Sequence, residues 1–435
     1  MVSEESRGAP VTATVHFGSF DAEAAWRPAD LARLPASPAV GGNRGNRCLD
    51  QLLAVGCAPG DLLLTAEPMD DGLVEVLAAA GIAPRIVAVP GPEDATVEER
   101  LATLGDVGLP QVRGWAAAVY SVRPETSAAV QRLGLVATLP TAEVTARVNS
   151  KVWSNDLVRG AGLPGAAVLA STPRQVRRLV EDADGDVVLK DPYGVAGLGA
   201  LRVTSPRMLD TVVRHLERQA GRGARVELLV QPLFDEALSF STHIEVGPGA
   251  IVRWRGMRHV DNAEFAYRGS GPLSPEQHAS LDTPAHREVI AQVGAALAAE
   301  GYTGPVCVDG LWLRDGTVVS VLEVNARRSM GLFNLQLDQR AGAVGLSCWL
   351  RCRTTPVVAG DALGRLLSAL DEADLLFRGD RPGVLPLASG TLTPPRGRLF
   401  FAVFASPGAG RAALEAKVGD LLSATRPIRV SSPDS

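Results

Sequence analysis

The sequence predicts an α/β protein of several domains, with an α+β arrangement in its central part. Residues 61–90 read as strand, helix and strand in turn, which is typical of an open sheet covered by helices. Residues 239–260 and 305–324 instead contain pairs of strands around short turns, which predicts antiparallel hairpins. A chain of 435 residues is long enough for two to four domains.

Residues 1–145 are predicted to form an N-terminal open α/β domain. Residues 61–67 and 85–90 are apolar runs, and residues 70–82 have an Asp cap, a helical pattern and a Gly stop. The segment contains no phosphate-binding fingerprint. It therefore indicates a fold but no function.

The pattern changes near residue 146, where a second region, 146–345, is predicted to begin. One helix is expected to start at Ser150, and two more start with Ser or Thr followed by Pro173 and Pro206. Residues 262–280 are polar and rich in Gly and Pro, which predicts a loop.

The last region, 346–435, contains two helical patterns and two apolar strand patterns. It is predicted to form a small C-terminal α/β lobe, and it carries no recognisable chemistry.

Composition argues against several classes of protein. The net charge of −5 gives no support for nucleic-acid binding, and no run of eighteen apolar residues predicts a membrane span. The acidic, polar start lacks the pattern of a signal peptide, and five Cys fit a reducing compartment, so a cytoplasmic location is expected. Cys348 and Cys352 lack a second pair nearby, and we expect small buried side chains rather than zinc ligands.

Lysine is rare in this chain. Of 43 basic residues only Lys151, Lys190 and Lys417 are lysines. Lysine offers a compact point charge that can approach one phosphate oxygen, whereas the guanidinium of arginine is wide and planar. The lysines are therefore candidates for phosphate contacts, with codon bias as the alternative explanation.

A glycine-rich segment lies between two predicted strands. Gly194, Gly197 and Gly199 would allow backbone N–H groups to approach a phosphate closely. A β-strand follows the segment, so it does not open a helix as a dinucleotide-binding or Walker loop does. The pattern favours a flap between antiparallel strands, with Lys190 at its entry, over a plain turn.

The strand pair 305–324 ends in an unusual polar set. Glu323 and Asn325 share one face of their strand, and the preceding strand carries Asp309. Two carboxylates and an amide oxygen suit Mg²⁺, and Arg327 and Arg328 follow where they could hold a phosphoryl group or an oxyanion. The alternative is a solvated strand end with surface ion pairs.

The metal set requires a particular hairpin register. A two-residue turn at Asp315 and Gly316 would place Glu323 on the face opposite to Asp309. We therefore predict either an odd loop, most simply residues 315–317 closed by Arg314 and Val318, or a bulge in one strand.

The order and spacing of these motifs across residues 146–340 resemble the ATP-grasp superfamily of carboxylate–amine ligases. The resemblance implies an ATP-grasp fold for residues 146–345, with the open α/β domain before it and the small lobe after it. Lys151 and Lys190 match the nucleotide-phosphate lysines, and Gly194, Gly197 and Gly199 match the flap. Gln231 and Leu233 match the adenine-binding hinge, and Glu236 matches the ribose contact, with Asp235 as the alternative.

The resemblance also implies the catalytic set. Asp309, Glu323 and Asn325 match the residues that hold two Mg²⁺ ions, with Mn²⁺ as an alternative, and Arg327 matches the arginine of an Asn-x-Arg ending, with Arg328 as its substitute. Two departures stand out. Many members have Glu where this chain has Gln231, and Cys307 occupies the place of an Arg found in D-alanine ligase-type members, which argues against that substrate class.

The implied activity is ADP-forming ligation of a carboxylic acid to an amine or peptide through an acyl phosphate. The substrates would be small molecules, with no nucleic acid and no membrane involved, and a homodimer is left open. The domain arrangement resembles, more loosely, ligases of bacterial peptide-antibiotic pathways such as the pheganomycin-type peptide ligase. An inactive nucleotide-binding scaffold and a carboxylase of the same superfamily are the alternatives. His243 and His259 lie near the predicted site, and we expect structural roles for both.

Overall fold

The computed structural model describes residues 13–35, 42–104, 109–195, 198–357, 362–407 and 410–424. Gly197 of the predicted flap lies outside the described residues. No helix in this part of the chain is long and apolar enough to cross a membrane.

The N-terminal region forms a parallel sheet in the order β3-β2-β1-β4. Its strands are β1 (Thr14–Phe17), β2 (Leu62–Thr65), β3 (Arg85–Ala88) and β4 (Ala116–Val119). Its helices are α1 (Ala22–Trp26), α2 (Gly42–Arg47), a 3-10 helix (Cys48–Gly56), α3 (Asp71–Ala79), α4 (Val97–Thr103), α5 (Thr126–Leu133) and α6 (Ala142–Val148). The predicted Asp cap is present, because the Asp70 side chain accepts the N–H of Leu73 at the start of α3.

A second, four-stranded sheet has the order β5-β8-β6-β7. Its strands are β5 (Val168–Ala170), β6 (Val187–Val195), β7 (Leu198–Val203) and β8 (Leu228–Pro232), and α7 (Lys151–Gly160), α8 (Pro173–Glu181) and α9 (Pro206–Ala220) accompany it. These helices begin at the predicted caps Ser150, Thr172 and Ser205. Strands β6 and β7 pair antiparallel around the predicted flap.

The largest sheet has eight strands in the order β13-β12-β9-β10-β11-β14-β16-β15. Its strands are β9 (Glu236–Gly247), β10 (Ile251–Ala263), β11 (Ala266–Gly271), β12 (Gly304–Leu313), β13 (Val318–Asn325), β14 (Ser347–Pro356), β15 (Gly383–Pro386) and β16 (Arg396–Ala405). Helices α10 (Pro275–Leu281), α11 (Pro284–Ala299), α12 (Met330–Gly342), α13 (Ala362–Glu372) and α14 (Arg411–Ala424) connect or cover these strands.

The loop predicted at 262–280 is wrong, because most of this segment forms strand β11 and helix α10.

The strands before and after residue 345 belong to one sheet, since β11 pairs with β14. The C-terminal strands thus extend the central sheet, and a large apolar core joins them to the N-terminal region through residues such as Leu53, Phe333 and Phe401.

Candidate active site

The β12–β13 hairpin has the register that the metal hypothesis requires. Asp309 lies opposite Glu323, and Cys307 lies opposite Asn325. The connecting loop has three residues, 314–316, since the N–H of Leu313 donates to the carbonyl of Thr317. The register also shifts at a bulge between Asp309 and Leu311. The odd loop is confirmed, one residue earlier than predicted, and a bulge accompanies it.

Gly310 sits inside this bulge, where no larger residue fits. A Cβ at this position would lie 2.6 Å from the ring of Phe240 and 2.8 Å from the carbonyl oxygen of Val319. We expect Gly310→Ala to lower the free energy of unfolding by about 1–3 kcal/mol, because the backbone must shift to admit the methyl group. Chemical denaturation measures the change. Gly342→Ala is the control, since a Cβ there meets no atom within 4 Å, and an equal effect of the two changes would contradict the prediction.

Four predicted residues meet at the end of this hairpin. The ammonium of Lys151, the first residue of α7, lies 2.9 Å from a carboxylate oxygen of Glu323 and donates to the carbonyl of Gly194 at 2.5 Å. Lys190 and Asp309 also interact electrostatically with Glu323. The root of the flap, two of the three lysines of the chain and both acids therefore share one location.

The flap geometry explains its glycines. Gly199 has a φ of +96°, and a Cβ there would lie 2.8 Å from the Cα of Gly194 and 3.0 Å from the Cβ of Asp191. Only glycine combines this conformation with so close an approach. The two arms of the flap are thus packed directly on each other at its root.

The charged groups of the site shift one another's pKa values. Burial, and then the charge of Glu323, raise the pKa of Asp309 to about 7. Burial alone would also raise the pKa of Glu323, but Lys151 and Lys190 outweigh it and lower that pKa. Burial lowers the pKa of Lys190 to about 8, against the opposing effect of Glu323. The two acids therefore differ, with Glu323 the more strongly ionised.

The donor set fits a divalent cation in part. Asp309 and Glu323 are facing carboxylates whose mutual repulsion a cation would relieve. Asn325 instead directs its NH₂ group to Asp309 at 2.9 Å and its oxygen to Arg327 at 3.0 Å, so its amide plane would have to turn over to offer an oxygen ligand. Among the described residues no group of three or more His, Cys, Asp or Glu could hold a metal. The predicted set has only two such members.

The two arginines have different surroundings. Arg327 is about 10% exposed and donates to a carboxylate oxygen of Glu23 through Nε at 2.7 Å and Nη2 at 2.5 Å. The Nη1 atom of Arg328 has no hydrogen-bond partner within the described ranges, and it lies 3.1 Å from where a Cβ of Gly56 would be. The structure thus links Arg327 with Asn325 of the predicted metal set, and turns the Arg328 guanidinium towards the 3-10 helix.

The predicted adenine hinge lies on and after β8. The side chain of Gln231 is buried and donates to the carbonyl of Gly165 at 2.5 Å, while the N–H of Leu233 donates to the backbone carbonyl of Asp186 at 2.8 Å. Both groups already have partners in the protein. Of the two residues predicted to contact the ribose, Glu236 accepts a hydrogen bond from the hydroxyl of Ser239, and Asp235 forms an ion pair with Arg314 on the surface.

Neither histidine near the site has the surroundings of a general base. His243 is buried, both ring nitrogens face hydroxyls, of Ser241 and Ser329, and burial lowers its pKa to about 3. Burial also lowers the pKa of His259. All five cysteines are free and buried, as expected for small core side chains.

Sequence reasoning missed the contribution of the N-terminal region to the site. Glu23 on α1 is 4% exposed, pairs with Arg327, and has a second carboxylate oxygen without a partner in the described structure. Tyr120, directly after β4, places its hydroxyl 3.4 Å from Arg327. Arg27 pairs with Asp191, next to Lys190. The sequence around Glu23 and Arg27 carries no motif that could have indicated these contacts.

The overall shape matches solved enzymes in complexes with ATP or ADP, at low sequence identity. A carboxyaminoimidazole ribonucleotide synthase of Aspergillus clavatus in complex with ATP aligns with a TM-score of 0.54 and 12% identity, over 95% of this chain and 99% of that one. An N5-carboxyaminoimidazole synthetase of Staphylococcus aureus with ADP aligns at 0.52 and 9%, over 94% and 97%. The chain has the ATP-grasp fold. The biotin carboxylase domain of the 2-oxoglutarate carboxylase of Hydrogenobacter thermophilus, with MgADP and bicarbonate, aligns at 0.52 and 13%, over 91% and 86%.

Sequence similarity to known proteins is limited to part of the chain. No family model matches this chain. A segment of 169 residues is 22% identical to a butirosin acyl-carrier-protein–L-glutamate ligase of Niallia circulans. The match spans 39% of this chain and 39% of that ligase, so less than half of either protein is compared.

Proposed function

We propose that this ATP-grasp protein is an ADP-forming ligase that joins a carboxylic acid to an amine. The observation that carries the proposal is the meeting of Lys151, Lys190, Asp309 and Glu323 beside the flap, with Arg327 linked to them through Asn325. Both cationic lysines and the facing acids are the groups that phosphoryl transfer requires. The likeness to solved ATP- and ADP-bound enzymes supports the nucleotide, and the partial match to a glutamate ligase supports the reaction type.

In the proposed first step, the acid substrate attacks the γ-phosphate of ATP. Lys151 and Lys190 would neutralise phosphate charge, and the flap would close the nucleotide off from water. Asp309 and Glu323 would hold Mg²⁺, which would supply further neutralisation of phosphate charge. The products of this step are an acyl phosphate and ADP.

In the second step, the amine attacks the acyl carbon and phosphate leaves. The carbonyl oxygen gains negative charge as the tetrahedral state forms. Arg327, held in place by Glu23 and Asn325, is the proposed donor to that oxygen. We propose further that the acid and the amine are amino acids or peptides. The most specific version of this proposal is a peptide ligase of the pheganomycin type.

An isotope experiment tests the reaction. Acids labelled with ¹⁸O in the carboxylate are incubated with MgATP and amines, beginning with L-glutamate because of the partial match to a glutamate ligase. An acyl phosphate transfers one labelled oxygen to the released phosphate, so we expect ¹⁸O-phosphate together with ADP and an amide. ADP release that requires bicarbonate and no other acid would identify a carboxylase instead. ATP binding without turnover of any pair would indicate a scaffold.

A further inference from the structure

Helix α1 is anchored to the segment that follows strand β4 of the N-terminal sheet. The indole N–H of Trp26 donates to the carbonyl of Val122 at 2.9 Å, and Asp21, just before the helix, pairs with Arg123 at 2.8 Å. The two anchors lie at opposite ends of a helix of five residues. Both ends of the helix are therefore tied to the segment that follows β4.

Two side chains one turn apart extend from this helix to opposite parts of the candidate site. Glu23 pairs with Arg327, beyond the end of β13, and their side chains are 6% and 10% exposed. Arg27, at the C-cap of α1, pairs with Asp191 on β6, and each of these side chains is 5% exposed. Buried ion pairs often add little stability compared with apolar packing, but they demand a defined geometry.

The Arg27 pair holds the root of the flap. Asp191 follows Lys190, its carboxylate also accepts the N–H of Tyr193 at 2.9 Å, and its Cβ lies against Gly199. The guanidinium of Arg27 further donates to the carbonyls of Leu31 and Ala32, which fixes its own position. The flap root is thus held by a side chain from the N-terminal region.

We propose that α1 is a brace between the flap and Arg327, in which Arg27 positions the flap for the nucleotide and Glu23 positions Arg327 for amide formation. The inference rests on the proposed ligase function. It gives the N-terminal region a role, because one rigid helix fixes the distance between the nucleotide side and the acyl-transfer side. Both are positioning residues, acting through Asp191 and Arg327.

The test separates nucleotide affinity from turnover. Arg27→Met with Asp191→Asn removes both charges of one pair, so no buried charge is left alone, and we expect about tenfold weaker binding of a non-hydrolysable ATP analogue with unchanged kcat at saturating ATP. Glu23→Gln keeps the shape of the side chain, and we expect kcat for ADP release to fall about 100-fold with unchanged analogue affinity. Calorimetry measures the affinity, and steady-state ADP release with MgATP and amino acids measures kcat.

Arg100→Met is the matched control. It removes a buried arginine of α4 that pairs with Glu67 and donates to the carbonyl of Val89, and none of these partners belongs to α1, the flap or Arg327. We expect it to lower the unfolding temperature without changing affinity or kcat. The brace is overturned if the variant with Arg27→Met and Asp191→Asn and the Glu23→Gln variant change only the unfolding temperature. It is also overturned if both variants change only the analogue affinity or both change only kcat. If the unaltered protein joins no acid–amine pair, the ligase proposal fails, and the role of Glu23 in amide formation fails with it. The analogue affinity of the variant with Arg27→Met and Asp191→Asn then decides whether α1 positions the flap.

Discussion

Replacing Arg327 with alanine is expected to lower kcat by about two to three orders of magnitude while ATP affinity stays nearly constant. The reason is that the proposed contact forms with the oxyanion of the transition state and not with the bound nucleotide. Its ion pair with Glu23 and its bond to Asn325 hold the guanidinium in one orientation, so the donor needs no rearrangement during the reaction. Steady-state ADP release gives kcat, and calorimetry gives the ATP affinity.

The single change has a structural side effect that must be separated. Alanine leaves the carboxylate of Glu23 buried without its cation, which typically costs about 3–5 kcal/mol of stability. Combining Arg327→Ala with Glu23→Gln removes both charges, so we expect stability to recover while kcat stays low. Recovery of kcat in the double variant, or a rise in the KM for ATP alone, would show that the assigned role is wrong.

Arg328→Ala distinguishes the two neighbouring arginines. The Arg328 guanidinium lies towards Gly56 and shares none of the partners of Arg327 among the described residues, while its backbone N–H donates to the carbonyl of Tyr120. We therefore expect a much smaller fall in kcat than for Arg327. An equal fall would move the proposed oxyanion contact to Arg328.

The sequence was most informative where local rules decide the structure. Side chains alternate along a strand, so the requirement that Asp309 face Glu323 predicted an odd connection, and the hairpin has one. Capping residues such as Ser150 also act locally: the side-chain oxygen accepts a free N–H of the first turn, so these residues marked the helix starts. These features depend on neighbours a few residues apart.

Long-range contacts were not predictable in the same way. Glu23 and Arg327 are 304 positions apart, and Arg27 and Asp191 are 164 apart, so no spacing rule connects them. Strand β11 was missed because its polar, Gly-rich sequence resembles a loop, and pairing with β10 and β14 makes it a strand. The capping box at Ser274 and Gln277 was a local signal for α10 that the loop prediction overlooked.

Replacing Lys190 with methionine is expected to weaken ATP binding by about two orders of magnitude and to leave the fold intact. The ammonium lies near Lys151 and Glu323 at the entry of the flap, where a charge-assisted bond to a phosphate is worth about 1.5–3 kcal/mol. Burial already lowers its pKa to about 8, so removing the charge relieves a desolvation cost in the nucleotide-free protein. Calorimetry with ATP and thermal unfolding without nucleotide measure the two effects.

Two further variants test whether a compact point charge is what the site requires. Lys417→Met removes the third lysine, an exposed residue of α14, and should leave ATP affinity unchanged because that residue lies outside the candidate site. Lys190→Arg keeps the charge but replaces the ammonium with a wide, planar guanidinium, so we expect it to bind ATP nearly as weakly as Lys190→Met. Full affinity in the arginine variant would mean that charge alone matters, and the scarcity of lysine in this chain would then be better explained by codon bias. Full affinity in the methionine variant would remove Lys190 from the nucleotide site.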